Sequence, residues 1–244
     1  MTIIDGHCHV GEGHYHRLSP DDLLRQMDAC GVEKAIICPV DRHIAVTNRE
    51  GNEYILHQVQ AHPDRFIGFA AVNPWYGERG VEELDRAIER GLKGLKLNPS
   101  LQGYLLNDPL VYPLIERARY HGVLVYFHTG TMVHSAPFQL TELAGHFPDV
   151  RFVMGHMGTT DYWNDTIHAA KGADNVYMDT SLNNPASIKR VLAALGDGRI
   201  FFSSNAPVCT VEVEVHKVDR VCGADKELRE KILFRNIRTL IQEV

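Results

Sequence analysis

Short apolar runs alternate with helical segments along the whole chain, and this alternation constrains the fold more than any other feature. Eight runs are apolar over nearly their full length: residues 3–10, 35–40, 66–72, 92–97, 123–128, 150–156, 176–180 and 200–204. A strand that is apolar at consecutive positions is buried on both faces, as in a parallel sheet covered by helices. Eight strand-and-helix units in 244 residues therefore predict an α/β fold, a TIM (β/α)8 barrel.

The segments between the runs carry helix-forming patterns. Ser19-Pro20-Asp21-Asp22 supplies a capping serine, a proline at the first helical position and two acids, and the apolar helical pattern that follows stops at Gly31. Further helices are predicted before 62–63, over 81–90, from 107–109 to 122, over 138–147 and 161–171, from 184 to 195, and after 204 with a break near 223–225. An open doubly wound sheet is the alternative fold. It is less favoured, because no glycine-rich phosphate-binding motif follows any of the predicted strands.

Composition and charge exclude several classes of protein. The chain is 44% hydrophobic and 23% charged, with a net charge of -6, whereas nucleic acids and anionic membranes require a basic surface. No apolar run approaches the ~20 residues of a membrane-spanning helix, and the predicted first strand leaves no room for a secretion signal. Five cysteines without a C-x-x-C motif indicate free thiols. We therefore expect one domain over residues 1–244 and a cytoplasmic location.

The first predicted strand carries two histidines one residue apart. Side chains alternate between the two faces of a strand, so His7 and His9 point the same way. A divalent ion such as zinc binds imidazole nitrogens and needs three or four ligands. The pair therefore predicts half of a metal site. A second such pair, His14 and His16, lies in a polar, glycine-flanked stretch and is predicted to belong to a loop.

Further polar side chains stand where other predicted strands end. His128 ends the fifth strand, His156 ends the sixth, and Asn205 follows the eighth. In a TIM barrel the C-terminal ends of the strands form one face, which carries the active site. Four imidazoles would therefore meet at one opening of the barrel, which favours a metal site over isolated structural histidines.

These motifs resemble those of the amidohydrolase superfamily. His7-Cys8-His9, Phe127-His128-Thr129-Gly130, Gly155-His156-Met157-Gly158 and residues 202–207 follow the order of that family, and the similarity spans essentially the whole chain. More narrowly, the chain resembles the amidohydrolase-related (amidohydrolase 2) branch, which holds metal-dependent hydrolases, lactonases and decarboxylases of the aminocarboxymuconate-semialdehyde type. The resemblance implies that His7, His9 and His128 are metal ligands and that His156 orients water or polarises the substrate.

Asn205 departs from the family pattern, in which an aspartate after the eighth strand binds the metal and moves a proton. An amide oxygen can still coordinate an ion, but it cannot take up a proton and carries no negative charge. We expect Asn205 at the fourth coordination position of one divalent ion. All-imidazole ligation favours zinc, with manganese second.

Weaker candidates for substrate binding lie near the same face of the predicted barrel. Arg42 and His134 follow the second and fifth strands and could anchor a substrate carboxylate. Lys96 lies on the fourth strand, where some relatives carry a carboxylated lysine between two metals. Asp179 ends the seventh strand, where it could support His156 or contact a substrate.

The sequence predicts a metal-dependent hydrolase in which metal-activated water attacks a small lactone, amide or ester, with His156 and Asn205 as catalytic side chains. The first alternative is a metal-dependent, non-oxidative decarboxylase of the aminocarboxymuconate-semialdehyde type. The second is a metal-binding variant whose catalysis is impaired by Asn205. In each case we expect a carboxylate-bearing small-molecule substrate, no nucleic acid or membrane partner, and a homodimer.

Overall fold

The structure is a computed structural model that describes residues 2–242, apart from the side chains of residues 160, 161 and 163. Eight parallel barrel strands follow one another, and each strand pairs with the next. They are β1 (Ile4–His9), β2 (Lys34–Cys38), β3 (Phe66–Gly68 continued by Ala70–Ala71), β4 (Gly94–Leu97), β5 (Leu124–His128), β6 (Phe152–Gly155), β7 (Val176–Asp179) and β8 (Ile200–Phe201). The predicted α/β barrel is confirmed, and the single-domain organisation stays a prediction.

Backbone hydrogen bonds connect β1 to the segment that follows β8. The amide of Gly6 donates to the carbonyl of Phe202 at 3.0 Å, and the amide of His9 donates to the carbonyl of Ala206 at 2.7 Å. The buried carboxylate of Asp5 also accepts a hydrogen bond from the amide of Ser204 at 2.8 Å. The first and last strands of the barrel are thereby joined, and the ends of β1 and β8 lie side by side.

Gly6 provides a test of this junction. A Cβ added at Gly6 would lie 2.4 Å from a ring carbon of Phe201 and 2.9 Å from the carbonyl oxygen of Phe202. We expect Gly6→Ala to lower the free energy of unfolding by about 1–3 kcal/mol, the usual effect of overpacking a core. Denaturant titration followed by circular dichroism measures the change. Gly145→Ala, whose added carbon meets nothing within 4 Å, is the control, and equal stability of the two variants would contradict the prediction.

Helices cover the outside of the barrel. The first, α1 (Pro20–Cys30), begins as predicted after Ser19, whose hydroxyl accepts a hydrogen bond from the amide of Asp22 at 3.1 Å. The other helices are α2 (Asp41–Ala45), α3 (Asn48–Ala61), α4 (Glu78–Glu89), α5 (Pro99–Gln102), α6 (Tyr112–His121), α7 (Pro137–His146), α8 (Thr159–Lys171), α9 (Pro185–Leu195), α10 (Val211–Cys222), α11 (Lys226–Glu230) and α12 (Asn236–Leu240). Among the described residues, no helix combines the length and the apolar character needed to cross a bilayer.

The sequence did not predict the short elements that follow the C-terminal ends of β1, β2 and β4. Gly11–Glu12 pairs with Arg17–Leu18 in an antiparallel hairpin after β1, α2 follows β2, and α5 follows β4. Each contains only two to five residues per element, which is too short for side-chain periodicity to reveal it. Because they follow strand ends, these elements lie on the face of the barrel that carries the polar side chains.

Candidate metal centre

The five residues that the sequence singled out as metal ligands or catalytic side chains converge at the ends of β1, β5, β6 and β8. The ring centroids of His7 and His9 lie 4.6 Å apart. The ring of His156 lies 5.8 Å from that of His7 and 4.5 Å from that of His128, again between centroids. Asn205 is tied to β1, because its backbone amide donates to the carbonyl of His7 at 2.9 Å.

His9 has one ring nitrogen free for a ligand. Its Nδ1 lies 2.7 Å from the carbonyl oxygen of Pro39. A carbonyl can only accept a hydrogen bond, so Nδ1 carries the hydrogen and Nε2 of the neutral ring keeps its lone pair. A carbonyl that fixes the second nitrogen in this way is common among metal-binding histidines.

A series of hydrogen bonds leaves His128, like His9, with a hydrogen on Nδ1 and a free Nε2. Asp179 accepts hydrogen bonds from the Ser181 amide and hydroxyl at 2.8 and 2.5 Å, and from the hydroxyl of Tyr126. Because the Ser181 hydroxyl hydrogen is used, Oγ accepts the hydrogen of His156 Nδ1, 2.7 Å away. His156 Nε2 then accepts the hydrogen of His128 Nδ1 at 3.0 Å. His128 Nε2 is left with a lone pair that can bind a metal.

His156 is fully buried, and both of its ring nitrogens take part in this series of hydrogen bonds. In this arrangement it orients His128 instead of presenting a free nitrogen to a substrate or a water molecule. The geometry gives no support to His156 as the residue that activates water, and that role stays a prediction. Ser181 and Tyr126 complete this series of hydrogen bonds.

Two of the predicted metal ligands carry a buried side-chain atom that has no hydrogen-bond partner within the described part of the chain: Nδ1 of His7 and Oδ1 of Asn205. Leaving such an atom unpaired costs about 1–3 kcal/mol, so the two atoms indicate a ligand. Three neutral imidazoles and an amide oxygen form a donor set that suits a divalent transition metal. The residues present therefore fit one divalent ion held by His7, His9, His128 and Asn205.

The electrostatic surroundings keep these histidines neutral. Burial lowers the pKa of His9 and that of His128 to about 3, and it lowers the pKa values of His7 and His156 well below their ordinary value. The positive charge of Lys96 acts in the same direction on all four. Neutral imidazole is the form that binds metal ions, so no proton has to be displaced from these rings near neutral pH.

Lys96 is buried on β4, with Nζ 4.0 Å from the centroid of the Tyr126 ring and without a hydrogen-bond partner among the described residues. Burial lowers its pKa to about 8, and the neighbouring Cys38 and Asp179 partly oppose this change. The side chain therefore remains largely protonated at neutral pH. It acts on the centre by its charge.

Cys38 is a member of the cluster that the sequence did not single out. Its Sγ lies 3.5 Å from His7 Nε2 and 3.2 Å from His9 Nδ1, so the three side chains have the spacing of a metal site. Two observations argue against a thiolate ligand. His9 Nδ1 is already bonded to Pro39, and burial raises the pKa of the Cys38 thiol to about 12. The thiol instead donates to the carbonyl of Cys8 at 3.2 Å.

A cavity of about 140 Å³ opens beside His9, His128 and Asn205. The rest of its described lining is largely apolar and consists of Tyr15, His16, Val40, Asp41, Ile44, Asn98, Leu101 and Val208. Sites for drug-sized ligands measure about 300–1,000 Å³, so this space suits a single ring or a short chain. A larger cavity of about 620 Å³ lies beside α3 and α4, but its described lining contains no histidine. The candidate active site is therefore the smaller cavity.

The four side chains that the sequence offered for substrate binding do not line this cavity among the described residues. Arg42 is exposed, with its guanidinium 4.0 Å from the carboxylate of Glu50. His134 is half-buried in the loop after β5, and Asp179 is buried behind His156. Arg42, Lys96, His134 and Asp179 do not occur among the described residues that line the cavity. Their predicted contacts with a substrate therefore find no support in the structure.

A parallel barrel with clustered imidazoles at the C-terminal ends of its strands defines a TIM-barrel protein with a candidate metal site. The Amidohydrolase family matches residues 4–241, and the chain belongs to this family.

Two curated relatives are decarboxylases. The 2-amino-3-carboxymuconate-6-semialdehyde decarboxylase of Dictyostelium discoideum is 34% identical over 83 residues, which are 34% of this chain and only 23% of that protein. The gamma-resorcylate decarboxylase of a Polaromonas species is 24% identical over an alignment of 284 positions, which covers 91% of this chain and 87% of the relative. These relatives favour the decarboxylase alternative over the predicted hydrolase.

Solved structures show the same fold. A 2,6-dihydroxybenzoate decarboxylase complexed with 2,6-dihydroxybenzoate superposes with a TM-score of 0.81 at 18% identity, covering 99% of this chain and 98% of the other. A dihydroxybenzoic acid decarboxylase from Polaromonas sp., with bound manganese and the inhibitor 2-nitroresorcinol, has a TM-score of 0.78 at 18% identity and covers 99% and 96%.

Proposed function

We propose that the chain is a metal-dependent, non-oxidative decarboxylase of a small aromatic or unsaturated carboxylic acid. The observation that carries this proposal is the donor set at the cavity. The imidazoles of His9 and His128 and the uncharged amide of Asn205 face a small, largely apolar space, and the ring of His7 lies 4.6 Å from that of His9. The decarboxylases among its relatives support the choice of reaction.

The residues at the centre suit decarboxylation better than hydrolysis. Hydrolysis needs a general base that removes a proton from the attacking water. Asn205 cannot act as a base, and both nitrogens of His156 are engaged with Ser181 and His128. Decarboxylation has no attacking water and needs a held carboxylate and a proton for the carbon that loses carbon dioxide.

His7, His9, His128 and Asn205 would hold the ion, and the chain's other residues would shape the substrate site. When bound, the divalent ion would supply positive charge that holds substrate oxygens and stabilises negative charge developing on the substrate. The side chains of Val40, Ile44 and Leu101 line the cavity, where they would contact the flat faces of a ring and exclude water. The imidazole donors favour zinc as the bound ion, whereas the Polaromonas structure contains manganese. The choice between them, the homodimer and the cytoplasmic location stay predictions.

Reconstitution tests the proposal. Protein purified without a His-tag, stripped of metal and reloaded with Mn²⁺ or Zn²⁺ is expected to release carbon dioxide from 2,6-dihydroxybenzoate or 2-amino-3-carboxymuconate-6-semialdehyde. The metal-free protein, measured in parallel, should release none. Carbon dioxide can be measured by membrane-inlet mass spectrometry and substrate loss by ultraviolet absorbance. Opening of a lactone, amide or ester panel without any release of carbon dioxide would contradict the decarboxylase. Binding of 2-nitroresorcinol without turnover of any of these compounds would favour the impaired variant.

A further inference from the structure

A decarboxylase must deliver a proton to the carbon that loses carbon dioxide, and the amide of Asn205 is not acidic enough to supply it. The titratable side chains among the described residues that line the cavity are His9, His128, His16, Asp41 and Tyr15. The free nitrogens of His9 and His128 are those suited to the ion, and the side chain of Tyr15 is 75% exposed. His16 and Asp41 therefore remain as the groups from which a proton could reach a substrate.

His16 and Asp41 form a hydrogen-bonded pair. His16 Nδ1 lies 2.7 Å from Asp41 Oδ1, and Asp41 Oδ2 accepts bonds from the amides of Tyr15 at 2.7 Å and His16 at 2.9 Å. Burial by itself would raise the pKa of Asp41, but these hydrogen bonds outweigh burial and the pKa lies below its ordinary value. Asp41 is therefore a carboxylate, so His16 Nδ1 carries a hydrogen. No hydrogen bond to Nε2 of His16 occurs within the described residues, and this nitrogen is free to exchange a proton.

The backbone near this pair has an unusual conformation and approaches the Asp41 carboxylate closely. Asp41 has a φ of 35°, in the left-handed region that residues other than glycine seldom adopt. At the tip of the hairpin, a Cβ added at Gly13 would lie 2.1 Å from Asp41 Oδ2. The carboxylate is only 7% exposed although it stands on a connection at the barrel opening. Strained backbone held by its surroundings is found preferentially at functional sites.

We propose that His16, oriented by Asp41, is the general acid of this active site and gives a proton to the substrate carbon that carries the carboxylate. This inference rests on the proposed decarboxylase function. His16 is the catalytic residue, because it meets the reacting carbon, and Asp41 is a positioning residue that acts through His16.

The proton transfer balances without any further reactant. His16 with a hydrogen on each ring nitrogen donates the hydrogen on Nε2 to the ring carbon, while Nδ1 keeps its hydrogen bond to the carboxylate of Asp41. The bond from that carbon to the carboxylate carbon then breaks, its electron pair returns to the ring, and carbon dioxide leaves. The His16 side chain is 42% exposed, so the neutral imidazole can take a new proton from water.

Replacement of His16 by glutamine tests the assignment, with a neighbouring histidine as the matched control. His14 stands on the same hairpin connection, is exposed, and is absent from the described lining of the cavity. With metal-loaded protein and 2,6-dihydroxybenzoate as the probe, His16→Gln is expected to lower kcat by about 100-fold or more. Its metal content and KM should stay close to those of the parent chain, and His14→Gln should keep the parent kcat.

Two further readouts separate proton transfer from a structural role. In D₂O, the parent chain and His14→Gln should exchange the ring hydrogen at position 2 of 1,3-dihydroxybenzene faster than the uncatalysed reaction, whereas His16→Gln should not. Added imidazole should restore kcat to His16→Ala in proportion to its concentration. Asp41→Asn should lower kcat more than it changes KM.

The possible outcomes separate the assignment of His16 as the general acid from the proposed decarboxylase activity. If the parent chain releases carbon dioxide and His16→Gln keeps its kcat, the decarboxylase stands and His16 is not its acid. Loss of kcat together with loss of bound metal, or without any recovery in imidazole, would show a structural role and overturn the assignment. If the parent chain releases no carbon dioxide from any probe, both the proposed decarboxylase function and the assignment of His16 as its general acid are wrong.

Discussion

Alanine at position 128 is expected to leave the protein without its bound ion and without measurable decarboxylation. His128 would supply one of three imidazole ligands, and its Nε2 is made available by the hydrogen bonds to His156 and Ser181. An ion contributes several kcal/mol of charge stabilisation, and about 1.4 kcal/mol corresponds to a factor of ten in rate. We expect His128→Ala to lower kcat/KM by about 10³-fold or more and elemental analysis to find little metal.

His57→Ala is the matched control for that experiment, because His57 is an exposed histidine on α3. The control should bind one ion per chain and keep the parent rate. Thermal unfolding adds an independent measurement, since a ligand that binds only the folded state raises Tm. Added Mn²⁺ or Zn²⁺ should raise the Tm of the parent and of His57→Ala but not that of His128→Ala. A His128→Ala protein with full metal content and full rate would rule out the proposed centre.

The barrel, and the convergence of the candidate ligands at one end of it, could be predicted from the sequence because both depend on strand periodicity. Alternation of side chains along β1 places His7 and His9 on one face, and the barrel architecture brings His128, His156 and Asn205 to the same end. These relations are local or follow from parallel strand order. The ring distances of 4.6, 5.8 and 4.5 Å among the four histidines are their result.

Features that depend on contacts between loops could not be predicted from strand periodicity. The bond between His16 and Asp41 joins residues 25 positions apart on a short hairpin and a five-residue helix, and neither element has a periodic pattern. The roles of His156 and Cys38 depend on which hydrogen bonds their nitrogen and sulfur atoms make, which sequence spacing does not encode. Arg42 and His134 follow the strands that the sequence predicted, but neither lines the cavity among the described residues, because strand order does not fix the conformation of the segment after each strand.

Aspartate at position 205 is expected to rescue a chain that lacks His16. Residue 205 lines the same cavity as His16, and a carboxyl group there could carry the proton that an amide cannot. In the His16→Gln background we expect Asn205→Asp to raise kcat by about 10²-fold, within the usual contribution of general acid catalysis. In the parent chain the same substitution should change kcat by less than about tenfold, because two groups that perform one proton transfer do not contribute additively.

A thermodynamic cycle is formed by the parent, the two single variants and the double variant. In this cycle the rate reports proton delivery, whereas the metal affinity reports the added charge at position 205. Asn205→Asp adds a negative charge beside the ion in both backgrounds, so metal titration should show tighter binding in both. A rate gain confined to the His16→Gln background would assign proton delivery to the hairpin, which explains how an asparagine can stand beside the metal in an active enzyme. An equal rate gain in both backgrounds would instead mean that the parent chain lacks a proton donor altogether. In that case Asn205 impairs catalysis, and the His16–Asp41 pair has another role.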